Sequence, residues 1–280
     1  MGDLDDRVAV ITGANTGLGK ATAAALAGRG ATVVLACRSA AKTVPVIDEL
    51  VAATGNDRIE HLPLDLGDLV SVRGAAAELL AGDRPIHLLI NNAGVAGQRG
   101  LTASGFELTF GTNHVGHFLF TTLLLDRLVA SAPARIVNVS SGNHFLAKGI
   151  DWDAVRQPTR TFVGLHEYNV SKLANVLFTQ QLAERLDPAV VSAFAVNPGP
   201  VATDVWRRMP GPLYEVFRRV RRLKPATDGA QPTLHAATAP GIEDRSGAYF
   251  DEDCTEKAVN PVATPELARD LWTRSEAWVA

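Results

Sequence analysis

Cysteine is scarce in this sequence: Cys37 and Cys254 are the two copies in 280 residues. Two thiols so far apart give neither a disulfide framework nor a Cys-based metal site, and a reducing cytoplasm is the expected compartment. Long hydrophobic runs are missing too. No stretch approaches the roughly 18 apolar residues of a membrane span. The opening Met-Gly-Asp-Leu-Asp-Asp has no apolar core from which a signal peptide or anchor could be made. Positive charge is not in excess: the formal net charge is −3, which argues against nucleic acid as the main partner. Repeats, low-complexity tracts and linker-like breaks are absent, so a single domain is expected over 1–280. Hydrophobic residues make up 46% and charged residues 20%, the balance of a globular chain able to bury a sizeable core.

What is present is alternation. Short β-branched runs at Val8–Thr12, Thr32–Ala36, Ile59–Leu64, Ile86–Asn91, Ile136–Ser140, Val190–Val196 and Ala248–Phe250 read as strands. Helical periodicity lies between and after them, near 17–28, 41–53, 68–81, 109–130, 165–186, 228–238 and 265–277. Several strands are apolar on successive residues, as expected of a parallel sheet covered by helices on both faces. The fold class is therefore α/β, a Rossmann-type doubly wound sheet. Ligands in such sheets bind beyond the carboxyl ends of the strands.

Those ends carry the chemistry. After the first strand comes Thr12-Gly13-Ala14-Asn15-Thr16-Gly17-Leu18-Gly19, opening a helix. Glycines let the backbone approach a pyrophosphate, and the helix start offers N–H groups to it. The second strand ends in Cys37-Arg38, with Cys37 where an acid for a ribose 2′-hydroxyl would stand. An Arg there suits a 2′-phosphate, so NADP(H) is expected over NAD(H), with Lys20 as a second cation. Asp65-Leu66 after the third strand could meet the adenine, or Asp65 could cap the next helix. The fourth strand runs into Asn91-Asn92-Ala93-Gly94, where Asn can bond across a break in the sheet and Gly can pass close to a cofactor. The sixth leads into Asn197-Pro198-Gly199-Pro200-Val201-Ala202-Thr203, where Thr203 could bond the nicotinamide or phosphate end.

Within the helix expected from 165, Tyr168 and Lys172 stand four residues apart, on one face and one turn apart. A neighbouring cation favours phenolate and lowers the phenol pKa, making Tyr a general acid/base for a carbonyl or alcohol oxygen. The fifth strand ends in Ser140-Ser141, and a hydroxyl at that exit can donate to the oxygen that Tyr168 protonates.

Thr-Gly-x-x-x-Gly-x-Gly, Asn-Asn-Ala-Gly, Ser, Tyr-x-x-x-Lys and Pro-Gly, each at its own strand end, resemble the short-chain dehydrogenase/reductase family over nearly the whole chain. The resemblance implies a mainly parallel seven-stranded sheet and hydride transfer between a nicotinamide and a substrate carbon. It implies that Lys172 lowers the Tyr168 pKa and holds the nicotinamide ribose, and that Ser141, with Ser140 as runner-up, is the catalytic Ser. Asn113 matches the family's helix Asn, which holds a water in a proton relay to the Lys; its plain alternative is a core polar residue that kinks the helix. The cofactor contacts carried over are Gly13, Asn15, Thr16, Gly17, Leu18, Gly19, Arg38, Asp65, Leu66, Asn92, Ala93, Gly94, Tyr168, Lys172, Pro198, Gly199, Val201 and Thr203. The stretches Asn113-His-Val-Gly-His-Phe, Arg135-Ile-Val-Asn-Val-Ser-Ser and Asp228-Gly-Ala-Gln further resemble the retinol dehydrogenase-like branch, which includes protochlorophyllide reductase relatives.

Nucleotide binding is thus expected in about 1–140, and catalysis and substrate binding in about 141–280. Substrate choice should lie in 95–104, 142–162 and a lid at 204–226. Residues 207–224 carry seven cations against Glu215, with Leu213, Val216, Phe217, Val220 and Leu223 in helical period. That stretch reads as a lid helix, as a peripheral membrane contact through 204–224, or as a site for an anionic substrate. Trp206, Met209, Phe217, Phe145 and Phe162 suit a lipophilic substrate. Leu173, Val176 and Leu177 form an apolar face that could pair in a homodimer or meet the sheet. The expected activity is NADP(H)-dependent alcohol–carbonyl interconversion. The alternatives are C=C reduction and a non-enzymatic NADP(H) sensor.

Overall fold

The computed structural model describes residues 2–201 and 223–280. Its sheet has eight strands: β1 Val8–Thr12, β2 Thr32–Cys37, β3 Ile59–Pro63, β4 Leu88–Asn91, β5 Ala134–Val139, β6 Val191–Val196, β7 Tyr249–Phe250 and β8 Glu256–Lys257. Their order is β3-β2-β1-β4-β5-β6-β7-β8, parallel throughout except for the antiparallel β7–β8 pair. The mainly parallel sheet is as expected, with β8 a short antiparallel addition to the seven strands. Two residues are too few to show a period, and the pairing follows from the turn in which Asp251 N donates to Thr255 O (2.9 Å).

The successive apolar residues of the central strands serve both faces. Val8 and Val10 pack with Val34, Leu89 and Ile136 on one side, against helices α3 (Leu69–Leu80), α5 (Gly116–Ala130) and α6 (Leu165–Arg185). Ala9 and Ile11 pack with Val33, Leu35, Ile90 and Val137 on the other, against α1 (Gly17–Gly28) and α2 (Ala40–Thr54). Period-two alternation of side chains across a strand places every second residue in each core.

The helix expected over 109–130 is interrupted. A short α4 (Leu108–Phe110) passes into a π-helical turn at Gly111–Val115 before α5 begins. Gly111 and Gly116 allow the close approach: a Cβ on Gly116 would lie 2.3 Å from Leu66 O, and one on Gly111 2.6 Å from Thr102 Cγ2. Asn113 stands in this turn, and π-turns inside helices commonly mark functional sites. The helix expected over 228–238 is likewise split, into α7 (Ala226–Gly229) and α8 (Gln231–Thr238).

The last helix, α9 (Pro265–Val279), starts with Pro265 after Thr264, whose hydroxyl accepts from Leu267 N at 3.3 Å. Trp272 on α9 sits 5.0 Å from Phe118 and 5.9 Å from Phe178, ring centre to ring centre, and Trp278 meets Phe106 and Phe110. The apolar face of α6 is therefore filled within the chain: Leu173, Val176 and Leu177 are buried in the core against which α9 packs. Among the described residues, no helix is long and apolar enough to cross a membrane.

Candidate active site

The carboxyl ends of β1, β2, β4, β5 and β6 open into one cleft of about 880 Å³. Gly13, Asn15, Thr16, Gly17, Leu18 and Gly19 form its floor; Arg38, Asp65 and Leu66 line one end. Asn92, Ala93 and Gly94 line the middle, with Tyr168, Lys172 and Pro198 at the other end. Gly199 and Val201 do not line it. A Cβ on Gly199 would lie 2.1 Å from Glu252 Oε2, so that glycine faces the β7–β8 turn. Val201 is buried against Gly229 and bridges to Lys224. Thr203 and most of the expected lid, 202–222, lie outside the described residues.

The glycines of the floor are needed where they stand. Gly13 has φ +66° and Gly17 φ +52°, a region costly for other residues. A Cβ on Gly19 would sit 2.5 Å from Asn92 Nδ2 and 2.6 Å from Gly13 O. The floor is thus pressed against the Asn92–Gly94 loop, and that contact shapes a cradle for an extended phosphate-bearing ligand.

Arg38 is 79% exposed, and the nearest carboxylate, Asp65 Oδ2, is 3.7 Å away. Its guanidinium can therefore turn to an incoming anion. Ser39 and Lys42 line the same end. Lys20 also lines the cleft, and its ammonium is paired with Glu49 of α2. Asp65 is not a helix cap: its Oδ1 accepts from Gly67 N at 2.9 Å, while Asp68 caps α3 by accepting from Val70 N.

At the other end, Lys172 is 3% exposed, and its Nζ donates to Val139 O at 2.8 Å. Burial lowers its pKa to about 8. Nζ lies 5.6 Å from the centre of the Tyr168 ring. The Tyr168 hydroxyl is not tuned downward as expected. Burial holds it above the ordinary phenol value, and a hydrogen bond from Ser141 is the group that works against this. The physical reason is that loss of water disfavours phenolate more than the nearby groups favour it.

The two serines separate clearly. Ser140 is 2% exposed, and its hydroxyl donates to Lys172 O at 2.8 Å, tying strand end to helix. Ser141 Oγ accepts from Asn143 N at 3.2 Å, which leaves its own proton to donate to Tyr168. Asn113 is fully buried, and its side chain is committed: Oδ1 accepts from Val95 N (2.8 Å), and Nδ2 donates to Val95 O (3.1 Å) and Ser171 Oγ (3.0 Å). It joins the loop after β4 to the Tyr168 helix.

Sequence reasoning passed over His117, which is 2% exposed. Its Nδ1 faces Asn113 O at 2.9 Å, and its Nε2 faces Thr12 Oγ1 at 2.8 Å. A carbonyl can only accept, so the proton is on Nδ1 and Nε2 accepts from the Thr12 hydroxyl. Thr12 Oγ1 in turn accepts from Asn92 N and Ala93 N, both at 2.9 Å. Burial depresses the His117 pKa to about 4, so the imidazole is neutral. Its signal in the sequence is slight, since its partners stand up to 105 positions away.

A family model described as short chain dehydrogenase matches residues 7–152. Retinol dehydrogenase 12 of Homo sapiens is 45% identical over 278 residues, covering 97% of this chain and 86% of its own. Retinol dehydrogenase 13 of Homo sapiens is 40% identical, covering 96% of this chain and 83% of its own. Among solved structures, an uncharacterized protein from Mycobacterium paratuberculosis matches with a TM-score of 0.75 and 32% identity, over 98% of this chain and 93% of that one.

Proposed function

We infer the reaction from one premise: this chain belongs to the short chain dehydrogenase family. It is an oxidoreductase of alcohol and carbonyl groups that uses a nicotinamide cofactor. The finer reading we propose is an NADP(H)-dependent enzyme acting on a lipophilic alcohol or its carbonyl. The observation that carries it is that Arg38, the Gly13–Gly19 floor, Tyr168 and Lys172 line one continuous cleft.

The residues fit the cofactor. The glycine floor leaves room where side chains would intrude, the α1 start offers N–H groups to a pyrophosphate, and Arg38, largely exposed beside Asp65, can turn to a 2′-phosphate. When bound, the nicotinamide supplies or accepts the hydride. The protein handles the proton. Ser141 donates a hydrogen bond to the substrate oxygen, and Tyr168 gives its proton to that oxygen in reduction and takes it back in oxidation. Lys172 places a positive charge beside the phenolate so formed and, lining the same cleft, would hold the nicotinamide ribose. The committed Asn113 side chain holds the Val95 backbone and, through Ser171, the Tyr168 helix; its part is positioning.

Support for a lipophilic substrate comes from exposed apolar residues in the chain segments that flank Ser141 and Tyr168. Phe145 (47% exposed) and Leu146 (61%) follow Ser141, while Phe162 (87%), Val163 (57%) and Leu165 (44%) precede Tyr168. Exposed apolar side chains of this kind are suited to contact an apolar ligand. The test is NADPH absorbance with all-trans-retinal, decanal and glyceraldehyde. We expect kcat/KM at least about 100-fold higher for the two apolar aldehydes than for glyceraldehyde, a difference of roughly 3 kcal/mol. Preference for glyceraldehyde, or faster turnover with NADH, contradicts the reading.

A further inference from the structure

His144 lies three residues beyond Ser141 in the 3-10 turn Gly142–Leu146 and is completely buried. Its Nδ1 faces Ser141 O at 2.7 Å, and its Nε2 faces Asn260 N at 3.2 Å. A carbonyl accepts and a backbone N–H donates, so the imidazole is neutral with its proton on Nδ1. Asn260, 4% exposed, completes the clamp: its Nδ2 donates to His144 O (2.7 Å) and Ala147 O (2.8 Å). The ring also packs on Tyr249, with centroids 4.7 Å apart. The turn is thereby held to a segment 116 positions away. Its other side is held to α6, where Asn143 Nδ2 donates to Asn169 Oδ1 at 2.9 Å.

Within this frame Ser141 is both the start of the turn and the partner of Tyr168. Its carbonyl is gripped by His144, while its hydroxyl accepts from Asn143 N and so keeps its own proton to donate on the Tyr168 side. Rotation of the turn would move the hydroxyl at once, because carbonyl and hydroxyl belong to one residue.

We propose that His144, together with Asn260, is a positioning residue for the reaction: its Nδ1–H and Nε2 fix the Gly142–Leu146 turn and so aim the Ser141 hydroxyl at Tyr168. The inference rests on the reading in which Ser141 and Tyr168 handle the substrate oxygen. A buried histidine that merely fills space would act on stability and leave the Ser141–Tyr168 contact alone. A positioning histidine acts only through Ser141.

A double-mutant cycle between His144→Phe and Ser141→Ala separates the two. The readouts are kcat for the best aldehyde of the panel, the NADPH dissociation constant, and Tyr168 ionisation by ultraviolet difference against Tyr168→Phe. Ser141→Ala should raise the Tyr168 titration by about one pH unit, the value of one hydrogen bond to a charged group. His144→Phe should raise it comparably and lower kcat about 10–100-fold, with NADPH affinity within about twofold. Adding His144→Phe to Ser141→Ala should change neither quantity further. His144→Asn, which keeps a donor for Ser141 O, should recover most of the loss.

Unchanged kcat and titration in His144→Phe overturn the proposal, and so do losses that multiply in the double variant. If His144→Phe does not fold, Asn260→Ala takes its place in the same cycle, with the same two outcomes. Failure of the underlying reading looks different: no carbonyl is turned over, while the Tyr168 titration still responds to both substitutions.

Discussion

Lys172 enters the cleft with its ammonium buried and held by Val139 O, and burial brings its pKa down to about 8. The charged form is present below that value and lost above it. The rate of carbonyl reduction should therefore fall as pH rises through about 8, before the elevated Tyr168 phenol ionises. Lys172→Arg, whose side chain does not deprotonate, should lower the rate yet move that limb above about pH 10; a limb left in place would assign it to another group. At the far end, Arg38→Ala removes a charge-assisted contact to a 2′-phosphate. It should weaken NADPH roughly 10–100-fold in a fluorescence titration, from about 1.5–3 kcal/mol, and alter NADH binding less than about twofold. Equal losses for both cofactors would take Arg38 out of phosphate recognition.

Legibility at this scale divides by sequence distance. The Tyr168–Lys172 spacing and the Gly13–Gly19 loop were readable because their chemistry lies within one or two turns of chain. Ser141 is preferred to Ser140 by the family resemblance already, and the structure adds that Ser140 is spent on Lys172 O. The His117–Thr12 and His144–Asn260 bonds join positions 105 and 116 apart, and no local pattern announces them. The direction of the Tyr168 shift was misjudged for a related reason: spacing reveals a neighbouring cation but not how much water is removed.

Among elements, the π-turn at Gly111–Val115 and the last helix were the parts least visible beforehand. Periodicity gave one helix over 109–130, because one extra residue in a turn leaves the apolar pattern nearly unchanged. Helix α9 was placed well, but not its partner. Trp272 sits among Phe118 and Phe178, and Arg185 lies over its ring at 4.2 Å. The face once open to a homodimer is thus used within the chain. Trp272→Ala should destabilise the fold by about 3–5 kcal/mol in denaturant unfolding and expose Phe118 and Phe178. We expect the parent chain to show no self-association through this face in sedimentation, and the variant to gain it. A loss below about 1 kcal/mol would mean that α9 packs only loosely.

For the whole molecule, alternation of strand and helix dictated the doubly wound sheet, and β8 escaped because it is two residues long. Burial keeps several histidines neutral, most strongly His114, with a pKa near 3, and His117, near 4, and in the same direction His144 and His87. Above the unfolded value of about 6.5 they are neutral in both states and cost nothing. As pH falls below it the unfolded chain takes up protons that the fold refuses, so stability is lost down to the folded values. Between pH 6.5 and 5 His114 and His117 should each cost about 2 kcal/mol. Urea midpoints measured across that window should fall steeply, and His117→Gln should flatten the slope by the share that this one ring contributes. A midpoint independent of pH over that window would mean that these rings do protonate in the fold.

One cleft serving cofactor and proton transfer together is the claim on which the rest depends, and Tyr168→Phe tests it most directly. The hydroxyl is removed while the ring, the glycine floor and Arg38 remain. NADPH binding should stay within about twofold of the parent, and NADPH-dependent reduction of the best aldehyde should fall by about 100-fold or more, the scale of a lost general acid. Parent-like turnover in that variant would contradict the account.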